Sequence, residues 1–292
     1  MDPVPPGEPV PPRGPVPPRG PVPPGGPVPP RGPVPPRGLA PPGGPRPPRA
    51  LVLDTDGVLL DSARLHAAAW KAALDTCLEA VAGAEQPPFD ADVEYRRYVD
   101  GRSRHDGAAA FLDARGIDLP AGTPRDPPGT DTVRGVAALK ERAFVDLLRT
   151  EGVDAFADVR PALAALRAAG VPCAAASASR HARQLIGAAG LDGLLAGVVD
   201  GEDAARLGLA GKPDPALFLR AAALLGSRPQ DTAVAEDALA GVAAARRGGF
   251  GLVVGVDRTP LRQAAAPLRE HGADLVVPDL ATLVRRVWGE RG

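Results

Sequence analysis

The sequence contains few cysteines, few aromatic residues and no long apolar run. Its 292 residues include two cysteines, Cys77 and Cys173, and ten aromatic side chains. Two cysteines so far apart cannot form the disulfide framework of a secreted protein, so we expect a reducing, cytoplasmic location. No apolar run approaches the roughly 20 residues of a membrane span. Prolines follow Met1, where a signal peptide would have basic and apolar regions.

An excess of positive charge is also lacking. The chain has 34 basic and 35 acidic residues, which give a net charge of −1. A protein that binds a nucleic-acid backbone needs a basic surface, and one that stacks bases needs aromatic side chains. We therefore expect neither a nucleic acid nor a membrane as partner.

Proline, in contrast, is abundant and unevenly distributed. Residues 1–48 contain 23 of the 37 prolines, and residues 3–38 are six tandem hexads that each begin Pro-Val-Pro-Pro. Proline removes backbone donors, and one valine per hexad cannot build a core, so we predict a disordered tail rich in polyproline II. Two alternatives stay open for this tail: a spacer, or a ligand for a proline-recognising domain.

The rest of the chain alternates short apolar runs with Ala/Leu/Arg-rich segments of helical spacing. This alternation indicates an α/β fold with a doubly wound, Rossmann-like parallel sheet covered by helices on both faces. The predicted strands are 50–54, 171–176, 195–199, 232–235, 251–256 and 274–277.

A long insert after the first strand interrupts this rhythm. It is mostly helical, with helices predicted at 104–114 and 136–148, and it contains a loop rich in glycine, proline and aspartate at 120–132. Such an insert would lie over the carboxyl edge of the sheet, where ligands bind in open α/β folds, and could act as a lid. The predicted domains are a tail (1–48), a core (49–65 and 150–292) and a helical cap (66–149).

The most informative segment directly follows the first strand. Asp54 and Asp56 precede Gly57, and a turn at this glycine lets both carboxylates converge. One carboxylate could attack an electrophile while the other exchanges a proton with an entering or leaving oxygen. Their repulsion requires a cation, and their oxygens suit Mg²⁺. A helix cap and a calcium loop are the alternatives, but the acids of an EF-hand are not in place.

Three other segments carry chemistry. Residues 177–180 offer hydroxyls and backbone N–H groups that suit a phosphate, or that cap a helix. Lys212 stands between a glycine and a proline, although a lone lysine is usually a surface residue. Glu236 and Asp237 end an apolar run, where two charges require a cation or a partner unless they only open a helix.

The order and spacing of these four segments resemble those of the four motifs of the haloacid dehalogenase superfamily of phosphotransferases. Further segments make the chain similar to its β-phosphoglucomutase subfamily, and the resemblance covers about residues 50–258. They are His66 and Trp70, Asp100-Gly101-Arg102-Ser103-Arg104, Ser177-Ala178-Ser179, Gly211-Lys212-Pro213 and Glu236-Asp237-Ala238-Leu239-Ala240-Gly241-Val242.

The resemblance implies roles for the four segments. Asp54 would become an aspartyl phosphate, and Asp56 would act as the general acid and base. Ser177 and Lys212 would hold the transferring phosphoryl group. Mg²⁺ would be bound by the Asp54 carboxylate, the Asp56 backbone carbonyl, Glu236 and Asp237.

The resemblance also implies a substrate site that includes the insert. Ala178, Ser179 and Arg180 would contact the substrate, and Arg180 would reach its distal phosphate. Arg104 would bind the non-reacting phosphate, and His66 would couple cap closure to Asp56. A surface arginine and a structural histidine stay open as alternatives for these two cap residues.

The activity implied by the resemblance is the interconversion of β-glucose 1-phosphate and glucose 6-phosphate, with glucose 1,6-bisphosphate as the activating phosphate donor. A sugar-phosphate phosphatase of the same family is the alternative, and it differs in letting water reach the aspartyl phosphate. A third hypothesis is an inactive scaffold that presents the proline-rich tail.

Overall fold

Within the residues that the structure describes, six short strands form one parallel sheet. The computed structural model describes residues 47–81, 86–259 and 263–289, so the predictions for the proline-rich tail fall almost entirely outside the described residues. The strand order is β3-β2-β1-β4-β5-β6, and every pairing is parallel. The strands are β1 (Ala50–Leu53), β2 (Cys173–Ala176), β3 (Gly197–Val199), β4 (Thr232–Glu236), β5 (Leu252–Val256) and β6 (Leu275–Val277).

The strands are apolar along their whole length because both faces of the sheet are covered. In β1, Leu51 and Leu53 point into one apolar cluster and Val52 into the other, as the two-residue period of a strand requires. Strand β2 begins at Cys173, later than predicted, because the N–H of Val171 instead donates to the Leu166 carbonyl at 2.9 Å. The prediction of a doubly wound parallel sheet is confirmed.

Apart from residues 82–85, which are not described, the insert after β1 contributes three long helices and one turn of π-helix. These are α1 (Ala63–Val81), the π-turn Tyr95–Val99, α2 (Arg104–Ala114) and α3 (Val133–Glu151). Helices α1, α2 and α3 pack around their own apolar cluster, in which the rings of Phe89 and Phe111 meet edge to face at 5.2 Å between centroids. Phe144 of α3 belongs instead to a cluster of the sheet. The insert is therefore anchored to the core, and the exact limits of core and cap stay a prediction.

In the described part of the chain, seven further α-helices follow the insert. Helices α4, α5 and α10 cover one face, and α7, α8 and α9 cover the other. They are α4 (Val159–Ala168), α5 (Ala182–Ala188), α6 (Gly201–Leu207), α7 (Ala216–Leu224), α8 (Leu239–Arg247), α9 (Ala265–Glu270) and α10 (Leu280–Val287). No helix in the described part of the chain is long and apolar enough to cross a membrane.

The strand order places the chemistry-bearing loops at one edge. The chain runs from β1 to β2 and β3 on one side and then returns to β4 on the other side of β1. Such a reversal opens a crevice at the carboxyl ends of the strands, where ligands bind in doubly wound folds. The loops after β1, β2 and β4 meet in this crevice.

We expect Phe218→Ala to lower the free energy of unfolding by about 3–5 kcal/mol, because it removes a fully buried ring from the core. Leu219→Ala on the same helix changes a side chain that is 37% exposed, and we expect an effect within about 0.5 kcal/mol. Urea unfolding followed by circular dichroism measures both. Equal losses in the two variants would contradict the burial of this helix face.

Candidate active site

A tight turn after β1 presents Asp54 and Asp56. The backbone N–H of Asp54 donates to the Ala235 carbonyl at 2.9 Å, which fixes the end of β1 against β4. Gly57 has a φ of +79°, and a Cβ at this position would lie 1.8 Å from Oδ2 of Asp237. Glycine is therefore required here both by the backbone conformation and by the close approach of Asp237.

A buried lysine joins two of the predicted segments. Nζ of Lys212 donates to Oδ1 of Asp54 and, at 2.7 Å, to Oε1 of Glu236. Burial acts to lower the pKa of Lys212, but the adjacent carboxylates outweigh this effect and hold the pKa above its usual range. The surface-lysine alternative is therefore excluded, since Lys212 is 1% exposed and carries its charge inside the site.

Both carboxylate oxygens of Glu236 accept hydrogen bonds from the protein. Its Oε2 accepts a hydrogen bond from the backbone N–H of Ala238 at 2.5 Å, while Oε1 faces Lys212. Gly241 leaves space for this arrangement, because a Cβ there would lie 1.6 Å from Oε1 of Glu236. The structure thus differs from the implied metal set: the side chain of Glu236 holds Lys212 and the loop rather than facing the pocket.

Asp56 is surrounded by donors. Ser62 Oγ donates to its Oδ1 at 2.5 Å, Ser177 Oγ donates to its Oδ2 at 3.2 Å, and Nε2 of His66 lies 3.2 Å from Oδ1. Burial would raise the pKa of Asp56, but His66, Ser62 and Lys140 together hold it below its ordinary range. The carboxylate is therefore ionised in this state.

His66 is held between Asp56 and a lysine that the sequence reasoning missed. Nζ of Lys140 lies 2.8 Å from Nδ1 of His66. An ammonium group only donates, so Nδ1 must accept and the ring proton must sit on Nε2, which faces Asp56. Burial and the charge of Lys140 lower the pKa of His66. His66 therefore delivers a neutral N–H to the Asp56 carboxylate.

Lys140 itself is buried among aromatic rings. Its Nζ lies 4.6 Å from the ring centroid of Phe144 and 5.8 Å from that of Trp70. Burial lowers its pKa to about 8. One signal in the sequence could have identified it, because Lys140 follows Val136 and precedes Phe144 by four residues on the buried face of α3.

A second connection joins the insert to the loop after β2. Arg104 and His181 both contact the carboxylate of Glu141, at 3.2 Å and 2.7 Å respectively. Burial acts to raise the pKa of Glu141, but His181, Arg104 and Lys140 outweigh burial and lower this pKa to about 2. The sequence analysis did not identify Glu141. Through Arg104 and His181, Glu141 connects α2 and α3 to the core.

The predicted site residues line one pocket, except for Ser177 and Glu236, which are fully buried behind its wall. Asp100 and Tyr95 also line the pocket, although the sequence analysis assigned no role to either residue. The predicted residues that line the pocket are Asp54, Asp56, His66, Arg104, Ala178, Ser179, Arg180, Lys212 and Asp237.

Comparisons with known proteins agree with this architecture. The family model for haloacid dehalogenase-like hydrolases matches residues 48–249. A β-phosphoglucomutase from Mycobacterium bovis is 46% identical over 239 residues, which cover 81% of this chain and 91% of that protein.

Solved structures show the same fold. A β-phosphoglucomutase from Clostridium difficile superposes with a TM-score of 0.61 at 22% identity, covering 80% of this chain and 92% of that one. A haloacid dehalogenase family hydrolase from Deinococcus radiodurans, crystallised with bound phosphate and sodium, is 31% identical with a TM-score of 0.56 and covers 82% and 95%.

The chain therefore belongs to the haloacid dehalogenase-like hydrolase family, and within it to the β-phosphoglucomutase-like subfamily. It is accordingly an enzyme of the phosphotransferase or phosphatase type, and the scaffold hypothesis is not supported. Dependence on Mg²⁺ is the general implication of this relationship.

The donor set fits a Mg²⁺ ion. Burial, followed by repulsion from Asp100, Glu236 and Asp54, raises the pKa of Asp237 well above its ordinary value. Among the described residues, no three His, Cys, Asp or Glu side chains form a complete metal cage. Mg²⁺ commonly takes only one or two carboxylates and completes its shell with waters and substrate oxygens. Asp54 and Asp237 provide such a pair, and a cation there relieves their repulsion.

We predict that His66 is neutral at pH 7 with its proton on Nε2, because the nearby Lys140 ammonium donates to Nδ1. Nitrogen NMR of labelled histidine distinguishes this tautomer. Lys140→Met removes a cation that lowers the pKa of His66, so this pKa should rise. Arg142→Met removes a charge from an exposed position of the same helix and should leave the His66 signals unchanged. A proton on Nδ1 in the unmodified protein would contradict the arrangement.

Proposed function

We propose that this enzyme is a Mg²⁺-dependent β-phosphoglucomutase that interconverts β-glucose 1-phosphate and glucose 6-phosphate through an aspartyl phosphate. The observation that carries the proposal is the pairing of two different carboxylates at the end of β1. Asp54 faces the Lys212 ammonium, whereas Asp56 is surrounded by neutral donors. The similarity to the Mycobacterium bovis β-phosphoglucomutase over 91% of that protein supports the same substrate class. A cytoplasmic location is part of the proposal.

Asp54 acts as the nucleophile. One of its oxygens forms a bond to phosphorus while the bond from phosphorus to the sugar oxygen breaks. Lys212 is the nearest cation to this carboxylate, and its charge offsets the repulsion between the anionic nucleophile and an anionic phosphate. The position of Lys212 is fixed, because Glu236 binds the same ammonium from the other side.

Mg²⁺ would be held by the carboxylates of Asp54 and Asp237 and by the backbone carbonyl of Asp56. When bound, it would neutralise the oxygens of the transferring phosphoryl group. Glu236 supports this site indirectly through Lys212 and the Ala238 backbone.

Asp56 moves the proton. It accepts a proton from the sugar hydroxyl that attacks the aspartyl phosphate, and it returns this proton to the sugar oxygen that leaves when Asp54 is phosphorylated again. The hydrogen bonds from Ser62, Ser177 and His66 stabilise its ionised form, which is the form that accepts. Ser177 thus holds the carboxylate of Asp56, the proposed acid and base. In this proposal the loop after β2 binds the phosphate through its backbone N–H groups and through Ser179.

The insert determines whether water can reach the aspartyl phosphate, and this access distinguishes a mutase from a hydrolase. A mutase must keep water away from the aspartyl phosphate until the sugar hydroxyl attacks. Arg104 and Arg180 line the pocket on the side of the insert and the loop after β2, where they would bind the second phosphate. Glucose 1,6-bisphosphate, which carries two phosphates, would serve as the initial donor.

A sugar-phosphate phosphatase is the second candidate. The observation that favours it is the 31% identity to the Deinococcus radiodurans hydrolase, which binds phosphate in its crystal structure. The same residues would form the aspartyl phosphate, and water in place of the sugar hydroxyl would then donate its proton to Asp56.

Phosphorus NMR of the full chain with Mg²⁺, β-glucose 1-phosphate and a trace of glucose 1,6-bisphosphate tests the proposal. We expect the glucose 6-phosphate signal to grow without inorganic phosphate. Inorganic phosphate as the only product would establish the phosphatase instead. Asp54→Asn and chelation of the metal should each abolish turnover, and full activity of Asp54→Asn would contradict the nucleophile assignment.

We expect Asp56→Asn to lower kcat by about 10²–10⁴, since the amide cannot exchange the proton. Binding of Mg²⁺ should persist because the backbone carbonyl at this position is kept. Asp61→Asn is the matched control: the same change in the same loop, at an exposed side chain. Steady-state kinetics and a metal-binding titration separate the two effects, and wild-type kcat in Asp56→Asn would remove the acid and base role.

A further inference from the structure

Arg258 contacts the turn after β1 although it lies outside the candidate active site. It follows the end of β5, which is Val256. Its Nε donates to the Gly57 carbonyl at 3.2 Å, and its Nη2 donates to the Val58 carbonyl at 2.9 Å. The residues that line the active-site pocket do not include Arg258. Arg258 therefore contacts the backbone of the turn and not the interior of the pocket.

Two further residues hold the guanidinium group of Arg258 in one orientation. The carboxylate of Asp158 accepts from Nη1 at 2.8 Å and from Nη2 at 3.1 Å. The guanidinium carbon lies 3.8 Å from the ring centroid of Phe156. The side chains of Arg258 and Asp158 are 17% and 19% exposed. Because a paired set of hydrogen bonds and a stacked ring fix the plane of a guanidinium group, its remaining N–H donors have fixed directions.

Asp158 and Phe156 are themselves attached to the core. Oδ2 of Asp158 also accepts from the backbone N–H of Leu280 at 2.7 Å, and Leu280 is the first residue of α10. The backbone N–H of Phe156 donates to the Leu59 carbonyl at 3.2 Å. Asp158 directly precedes α4. Arg258 thus connects the turn after β1 to the starts of α4 and α10.

The turn after β1 is buried, and its backbone must be paired within the protein. Gly57 and Val58 are both buried. The N–H of Gly57 donates to the Leu60 carbonyl at 2.9 Å, while the carbonyls of Gly57 and Val58 accept from Arg258. A buried carbonyl without a donor costs free energy. A guanidinium group, with several N–H donors in one plane, can pair two consecutive carbonyls and still bind a carboxylate.

The position of Gly57 affects the geometry of the active site. A Cβ on Gly57 would lie 1.8 Å from Oδ2 of Asp237, so this carboxylate closely approaches the backbone of the turn. The peptide group that joins Asp56 to Gly57 contains the Asp56 carbonyl, which is the proposed backbone ligand of Mg²⁺. A shift of this peptide would move the carbonyl relative to Asp54 and Asp237, and a displacement of about 1 Å can cost about 10²-fold in rate.

We propose that Arg258 is a positioning residue for the active site. It fixes the turn that presents the carboxylates of Asp54 and Asp56 and the Asp56 backbone carbonyl, and its effect passes through the backbone of Gly57 and Val58. The inference rests on the roles of Asp54 and Asp56 under Proposed function. It is the same whether a sugar hydroxyl or water attacks the aspartyl phosphate.

Arg258→Met in the full chain tests the proposal, because methionine keeps an unbranched side chain beside Phe156 but cannot donate to the two carbonyls. We expect Mg²⁺ to bind about 10–100-fold more weakly in isothermal titration calorimetry without substrate. The kcat for β-glucose 1-phosphate should fall by about 10–100-fold, and KM for this sugar phosphate should change less. Arg286→Met removes an exposed arginine of α10 and should leave Mg²⁺ affinity and kcat unchanged.

A purely structural role for Arg258 predicts a different result. If Arg258→Met has a lower unfolding temperature but the Mg²⁺ affinity and kcat of the unmodified chain, the proposal is overturned. If Arg258→Met does not fold, Arg258→Lys keeps the charge without the planar set of donors, and we expect the same weakening of Mg²⁺ binding. An unchanged Mg²⁺ affinity in Arg258→Lys would be decisive against the proposal. Failure of the unmodified chain to convert β-glucose 1-phosphate would contradict the proposed function alone, since the Mg²⁺ titrations use no substrate.

Discussion

The active site depends on one buried ammonium group held between two carboxylates. Lys212 contacts Asp54 at the end of β1 and Glu236 at the end of β4, and all three side chains are buried. Removing Lys212 would leave two adjacent buried carboxylates without the cation that offsets their repulsion. The same contacts that hold the two strand ends together therefore also place a cation beside the proposed nucleophile. Stability and chemistry share this interaction, and Gly57 and Gly241 leave the space that it needs.

A second chain of contacts runs from the insert to Asp56. Lys140 of α3 fixes the tautomer of His66, and His66 presents its N–H to the Asp56 carboxylate. The Lys140–His66 contact joins α3 to α1 within the insert, and the His66–Asp56 contact joins the insert to the loop after β1. The protonation behaviour of the proposed acid and base is therefore linked to the position of the insert, which is the property that a mutase needs in order to avoid hydrolysis.

The two carboxylates of the motif illustrate how environment assigns different roles to identical side chains. Asp54 faces a cation and an open pocket, whereas Asp56 accepts hydrogen bonds from Ser62 and Ser177. The relatives share the fold and the family, but their names include both a mutase and a hydrolase. The difference between these activities lies in the access of water, which depends on how the insert closes rather than on the Asp54 and Asp56 pair.

The sequence by itself determined the α/β class, the six strands and the segments at their carboxyl ends, because a parallel sheet buried on both faces requires continuous apolar runs. It also indicated Asp54, Asp56 and Lys212, which stand in short local motifs. Only the tertiary structure showed that Glu236 turns toward Lys212 and that Lys140 reaches His66. Lys140 and His66 are 74 residues apart, and such a contact is set by the packing of α1 against α3, which no local pattern encodes. The position of Arg134 beside Arg104 and Arg180 has the same origin, because the three residues line one pocket only through the packing of the insert against the loop after β2.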